Sequence, residues 1–443
     1  MIRLAIAGLA ATFVLNADWA CTHVTVIDPA SGRVRPDVTV VVSGERIASV
    51  GKAGPPRGAR VTDGRGKFLI PGLWDMHVHM RGTWDLGVRD DACRTFFAPQ
   101  FTKNGVTGVR DLWGSLDDIR RLRAEIASGE AIGPRIVAAG NAVDGPRPAL
   151  PGAIACANAE QGREAVVRLK RDGADFVKVY SLLPRDVYFA IAEEAGRQGL
   201  PFAGHVPNSV TAGEASDAGQ KSIEHLQGVF LACSSRKSDG RFGESLRAAA
   251  ESYDAGKAAA LFAKFVKNGT WHTPTLTVLR SAAYFGDAEY MKDDRIELLP
   301  EIIRRFWRAG GMGMDASEDP AGRRRQFERE LRLVGAMHRA GVKILAGTDT
   351  PNPYVFPGTS LHDELALLVK AGLTPMEALA AATIRPAEYL GMTDSLGSIA
   401  AGKFADLVLL PANPLDDIGN TRRIEAVVLN GRVQTYQSPG TSR

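Results

Sequence analysis

The chain has 443 residues, 45% hydrophobic and 23% charged, with a formal net charge of +4. These proportions exclude a disordered or fibrous protein and leave room for a large core with a smaller one attached. The densest basic runs, Arg304-Arg305 and Arg323-Arg324-Arg325, lie in helix-forming stretches with Glu328 and Glu330 interleaved, which reads as a solvated helix face and not as a nucleic-acid surface.

At the start, Arg3 precedes an apolar run, Leu4 to Leu15, followed by Asn16, Ala17 and Asp18. This is the layout of a secretory leader over residues 1–20, too short to cross a bilayer, so the expectation is export to the periplasm or beyond without stable membrane insertion. The cleavage signal after Ala20 is weak, with Asp18 at the −3 position, and an extra buried segment of a cytoplasmic protein is the alternative. Cys21, Cys93, Cys156 and Cys233 are far apart with no C-x-x-C pair, which argues against a cysteine zinc site and a disulfide scaffold.

From residue 21 to 69 the pattern is strand and turn. Val24–Ile27, Val38–Val42 and Arg46–Val50 are punctuated by Asp28-Pro29, Ser31-Gly32, Ser43-Gly44 and Gly51. Asp406–Leu410 and Ile424–Leu429 repeat this character near the end, the latter turned at Asn430-Gly431. Residues 21–69 and 393–443 therefore read as one small β-sandwich built from both termini.

Between them, residues 70–392 alternate strand and helix. Strands are expected at Phe68–Met80, Val106–Trp113, Pro134–Asn141, Phe176–Ser181, Pro201–Val206, Ser222–Leu226, Trp271–Leu276 and Val342–Thr350. Helices are expected at stretches such as Leu116–Ser128, Glu160–Asp172, Arg185–Gln198 and Arg325–Ala340, each followed by a glycine suited to a left-handed cap. Thr374-Pro-Met-Glu377 is a capping box with proline at the first helical position. This alternation predicts an α/β fold, a (β/α)8 TIM-like barrel.

Barrel chemistry sits where strands end. His77 and His79 end the first strand and, two apart, face the same side. Lys178 lies in the fourth strand among apolar neighbours, His205 ends the fifth, His225 the sixth and Asp349 the eighth. A single strand-end histidine is an ordinary core residue, but six such positions converging on one mouth read as a site. Tyr180 shares a face with Lys178 and is placed to donate to an oxyanion, with a packed aromatic as the competing explanation. His272 is a candidate substrate contact, with a structural role as the competing explanation; Asp111 is a candidate orienter of a ligand histidine, and Tyr354 a candidate mouth residue. His23, His338 and His362 read as structural.

These marks resemble the amidohydrolase superfamily, and within it the imidazolonepropionase-like and prolidase-like group. They are Pro71-Gly-Leu-Trp-Asp-Met-His-Val-His79, Val177-Lys178, Gly204-His205, Glu224-His225, Gly347-Thr-Asp349 and the tail Gly397–Leu407 with Asn413-Pro414. The resemblance implies two divalent metal ions, zinc first, with manganese, cobalt or iron as alternatives. His77 and His79 would hold one metal, His205 and His225 the other. Lys178, carboxylated by carbon dioxide, would bridge them, and Asp349 would bind the first metal and carry protons. The implied activity is hydrolysis of an amide in a dipeptide or N-acyl amino acid by a metal-bridging hydroxide. A cyclic amide, an ester or a xenobiotic amide is the alternative. A small-molecule substrate is expected. Oligomeric state is open, and a homo-oligomer is compatible with the sequence. Substrate selection is expected in loops such as Asp144–Ala157 and Leu231–Gly243.

Overall fold

Branched residues dominate the terminal strands, and they pair first with each other. Trp19–Asp28 runs antiparallel to Arg33–Ser43, which pairs in turn with Arg46–Gly51. On its other side Trp19–Asp28 meets Arg60–Asp63 and Phe68–Pro71, both parallel. Phe68–Pro71 then carries Leu407–Leu410, Ala426–Leu429 and Arg432–Gln434, which completes an eight-stranded sheet from both chain ends. Asn430 and Gly431 both have positive φ, as a tight hairpin turn requires. The sheet has its own core, with Trp19, Val24, Val40, Ile47, Leu69, Leu407 and Val428 buried together. A computed structural model of the chain describes residues 19–80, 96–235, 249–311, 314 and 319–434. The apolar run expected as a leader, Cys93 and part of the Leu231–Gly243 loop lie outside the described residues. Cys21, Cys156 and Cys233 are free and buried.

The expected strand Phe68–Met80 is divided at Gly72. Its first part joins the terminal sheet, and Leu73–Val78 begins the parallel region. A Cβ at position 72 would collide with Thr107, so glycine is needed where the chain passes from one sheet to the other. Leu73–Val78, Val106–Asp111 and Arg135–Ala138 form a three-stranded parallel sheet. Val143–Asp144, Ile154–Ala155, Val177–Val179, Phe202–Gly204, Ser222–Glu224 and Trp271–Thr273 form a six-stranded parallel one. Helices fall between strands as the spacing predicts, including Leu116–Ser128, Ala159–Arg171, Arg185–Arg197 and Pro320–Arg339. The fold is α/β.

The expected strand Val342–Thr350 is not a continuous one. Isolated bridges pair Ile344 with His272 and Thr350 with Val78, and Ala346 O accepts from Met76 N at 2.9 Å. The reason is local. Gly347 lets this segment lie against the first strand, where a Cβ would come within 2.5 Å of Thr273 Cγ2 and 2.8 Å of His77 N, and Asp349 then turns out of the extended region at φ 65°.

Candidate metal centre

The first parallel strand places Asp75, His77 and His79 on one side. Asp75 is fully buried and accepts from Thr348 Oγ1 at 2.7 Å, from Thr348 N at 3.0 Å and from His77 N at 3.2 Å. It thereby ties the strand to the Thr348-Asp349 segment. Asp349 Oδ1 lies 2.8 Å from His79 Nε2 and 3.3 Å from His77 Nε2, and Asp349 Oδ2 lies 3.9 Å from His225 Nδ1. The ring centroids of His77 and His225 are 4.5 Å apart, and those of His205 and His225 are 5.0 Å apart. Gly204 holds φ 133° where a side chain would strike Val179 O and Lys178 Cδ, so glycine before His205 leaves room for the lysine. Lys178, at 1% exposure, lines the same cavity as the four histidines and Asp349. The sequence-predicted metal residues are thus brought together around about 210 Å³ of space.

The hydrogen bonds fix which nitrogens face inward. Glu224 accepts from Arg110 Nη2 at 2.9 and 3.0 Å and from Ser222 Oγ at 2.6 Å. Burial works to raise Glu224, but the charges of Arg110 and Lys178 and the Ser222 bond outweigh it and hold the carboxyl below its ordinary value. An ionised carboxylate only accepts, so His77 Nδ1, 2.8 Å away, carries the proton and His77 Nε2 presents a lone pair. Thr275 Oγ1 donates to Pro274 O, so it accepts from His225 Nδ1 at 2.6 Å and Nε2 of His225 is likewise the basic nitrogen. His205 Nδ1 pairs with Ser181 Oγ at 2.7 Å.

Charge states follow burial. His77 and His205 are held well below the ordinary imidazole value by burial, with the Lys178 charge adding, and burial brings His225 down to about 4. Burial alone would raise Asp349, but the surrounding imidazoles, His225 and His77 foremost, and the hydrogen bond from His79 keep it below the carboxylate range. Burial lowers Lys178 to about 8. Neutral imidazoles around an ionised carboxylate are metal ligands in waiting. His77 Nε2 and His79 Nδ1 are buried without a hydrogen-bond partner, and the His77 Nε2 lone pair points at an anionic oxygen 3.3 Å away. A cation between them resolves that repulsion, and the nitrogen and oxygen donors suit zinc. His77, His225 and Asp349 offer ligand atoms within 4.8 Å of one another and could hold such an ion.

Other expectations need correction. His272 is fully buried against Phe265, with ring centroids 4.5 Å apart, and does not line the cavity. Its strand turns Thr273 toward Arg110, and alternation sends residue 272 to the opposite face. Tyr354 packs on Trp307 and Tyr290 instead of lining the mouth. Asp111 accepts from Met80 N at 3.1 Å, and the carboxylate that orients a ring is Glu224. Tyr180 does line the cavity, stacked on His205 at 4.1 Å. His23 pairs with Asp37, His338 with Glu377, and His362 with Thr421 and Asn104 O, all outside the cavity lining. Glu224, Arg110, Thr275, Ser181 and Trp113 are contributors the sequence reading missed. Only Glu224, directly before His225, and Arg110, a charge inside an apolar strand, left a signal there.

The sequence pattern of the amidohydrolase family matches residues 68–433. An ochratoxinase from Aspergillus niger is 25% identical over 88% of this chain and 80% of its own length. An imidazolonepropionase from Pseudomonas putida is 43% identical over 89 residues, 18% of this chain and 21% of that protein. The solved structure of a Xaa-Pro dipeptidase with bound methionine superposes with a TM-score of 0.70 at 24% identity, covering 94% of this chain and 99% of that one. The family and the structural likeness imply a TIM-like barrel for the parallel region, within the imidazolonepropionase-like and prolidase-like group.

Proposed function

The chain belongs to the amidohydrolase family and is a hydrolase acting on carbon–nitrogen bonds; on that premise we propose a two-metal hydrolase of a dipeptide or an N-acyl amino acid. The observation that carries the metal centre is the His77 Nε2 lone pair set against the Asp349 carboxylate, with the neutral imidazoles of His205 and His225 buried beside it. His77, His79 and Asp349 would hold one ion, and His205 and His225 the other. Lys178, depressed to about 8, is partly a neutral amine near neutral pH; adding carbon dioxide with loss of one proton makes it an anionic bridging ligand. When bound, two divalent ions supply a water acidic enough to attack near neutral pH and polarise the scissile carbonyl.

The chain's own groups do the rest. Asp349 takes the proton of the attacking water at a carboxylate oxygen and delivers it to the departing nitrogen. Burial raises Tyr180, so its phenol keeps its proton and can donate to the developing oxyanion. The small cavity supports a small amide.

The proposal includes the architecture. The chain from Leu73 to residue 392 forms the closed barrel, supported by the bridges of Thr350 to Val78 and Ile344 to His272, and the terminal segments form the sandwich. It also includes export, with the leader ending before Trp19, because Trp19 and Ala20 already pair with Val42 and Val41. The functional test is a screen of dipeptides and N-acyl amino acids with the zinc-loaded protein and its Asp349→Asn variant. Turnover that falls by about 10²- to 10⁴-fold in the variant supports the reading, and equal turnover of the two proteins removes Asp349 from its role.

A further inference from the structure

The cavity has walls that the metal chemistry does not use. Trp113, Leu150 and Ala142 form a buried apolar cluster separate from the main core, and Tyr180 packs onto it. Its aromatic members are fixed relative to the site histidines. Trp113 Nε1 donates to Pro151 O at 3.2 Å, which holds the indole with its ring 5.7 Å from that of His79, in an edge-to-face arrangement. Tyr180 is stacked on His205.

A second apolar wall comes from the far end of the chain. Phe306 lies on the helix Glu301–Arg308 and lines the cavity with Pro351. The neighbouring Trp307 donates to Pro351 O at 2.9 Å, so this helix is locked to the turn that follows Asp349. Trp113 and Leu150 follow the strands Val106–Asp111 and Val143–Asp144, Phe306 and Pro351 belong to the helix and turn near Asp349, and all four line one cavity.

We propose that this mouth is a subsite for one flat aromatic or cyclic apolar group of the substrate, held by Trp113 and Leu150 on one wall and Phe306 and Pro351 on the other. The proposal rests on the amide-hydrolase reading and adds the class of substrate. The cavity of about 210 Å³, shared with the metal residues, is below the ~300 Å³ at which drug-sized sites begin, so it has room for no more than one ring. Aromatic walls favour offset or edge contacts with such a ring. Removing a ring from water into such a site is worth about ten- to hundredfold in affinity.

The test is calorimetric binding of N-acetyl-L-alanine, N-benzoyl-L-alanine and N-acetyl-L-phenylalanine to the Asp349→Asn protein, shown by metal analysis to hold as much zinc as the unmutated protein, which separates binding from turnover. The expected result is that the benzoyl or the phenylalanine probe binds at least about tenfold tighter than N-acetyl-L-alanine. Phe306→Ala and Trp113→Leu should each reduce that ratio to below about threefold, and Trp113→Phe should keep most of it. Melting curves identify any variant that has lost its fold, and the other wall variant then decides. Equal affinity for all three probes, no binding of any, or a preference that survives in the folded wall variants overturns the proposal. An aromatic preference in binding with no amide hydrolysed by the unmutated protein would instead overturn the functional reading and leave the subsite standing.

Discussion

Glu224 Oε2 and His77 Nδ1 are 2.8 Å apart at zero exposure, joining residues 147 positions apart in the chain. The pair is the upper end of a buried polar column. Below it Arg110 spans both parallel sheets, reaching Glu224, Ser222, Met76 O, Thr273 Oγ1 and Tyr389 OH. The column converts a carboxylate's charge into the tautomer of a ligand histidine.

Glu224→Gln keeps the shape and removes the charge that fixes His77. Zinc affinity, measured by chelator competition, should fall about 10- to 100-fold while the fold persists. Unchanged affinity would mean that His77 is oriented by its packing alone.

Arg110→Met leaves the Glu224 carboxylate buried without its cation. The denaturant midpoint should fall by the equivalent of about 3–5 kcal/mol. Adding Glu224→Gln to Arg110→Met should recover part of the loss, because the stranded charge is then gone. An additive double variant would show that the two side chains are not coupled.

Lys178 carries a pH signature. Burial lowers it, the carboxylates of Glu224 and Asp349 resist, Arg110 adds, and the result is about 8. Only the neutral amine takes up carbon dioxide. At fixed dissolved carbon dioxide, zinc reconstitution of metal-free protein should be faster on the alkaline side of 8 than at 6.5, by on the order of tenfold. The same shift affects stability. The folded state penalises the charged form, so this group's cost is full below about 8 and disappears as pH rises toward the unfolded value of roughly 10.4. Metal-free protein should therefore gain stability from Lys178 across that window, and Lys178→Met should lose the slope.

Trp19 anchors the first described strand. It is 2% exposed, pairs with Val42 and donates from Nε1 to Thr62 Oγ1 at 2.9 Å. Protein beginning at Trp19 should melt with the full-length chain, and protein beginning at Cys21 should lose about 3–5 kcal/mol, as deletion of a buried tryptophan does. Equal melting of the two would place the start of the sheet after Ala20.

Much of this was legible in the sequence because it depends on local pattern. Capping at Thr374, the glycines after the helices, and the alternation of His77 with His79 are all set by neighbours in the chain. What sequence could not show depends on partners far away. Val342–Thr350 reads as strand by composition, yet the close approach of Gly347 to His77 and the turn at Asp349 interrupt it. His272 carries the right chemistry at the right strand, but its phase is fixed by Thr273 meeting Arg110 across the sheets. Arg110 and Glu224 needed the fold itself to be seen as a pair.

Two metals in one buried cluster can be counted by titrating metal-free protein with zinc in the presence of bicarbonate. Amide hydrolysis should rise with added zinc and level off at two equivalents per chain, and in Lys178→Met the second equivalent should no longer bind tightly. Saturation at one equivalent with full activity, or two bound equivalents with no amide hydrolysed, would contradict it.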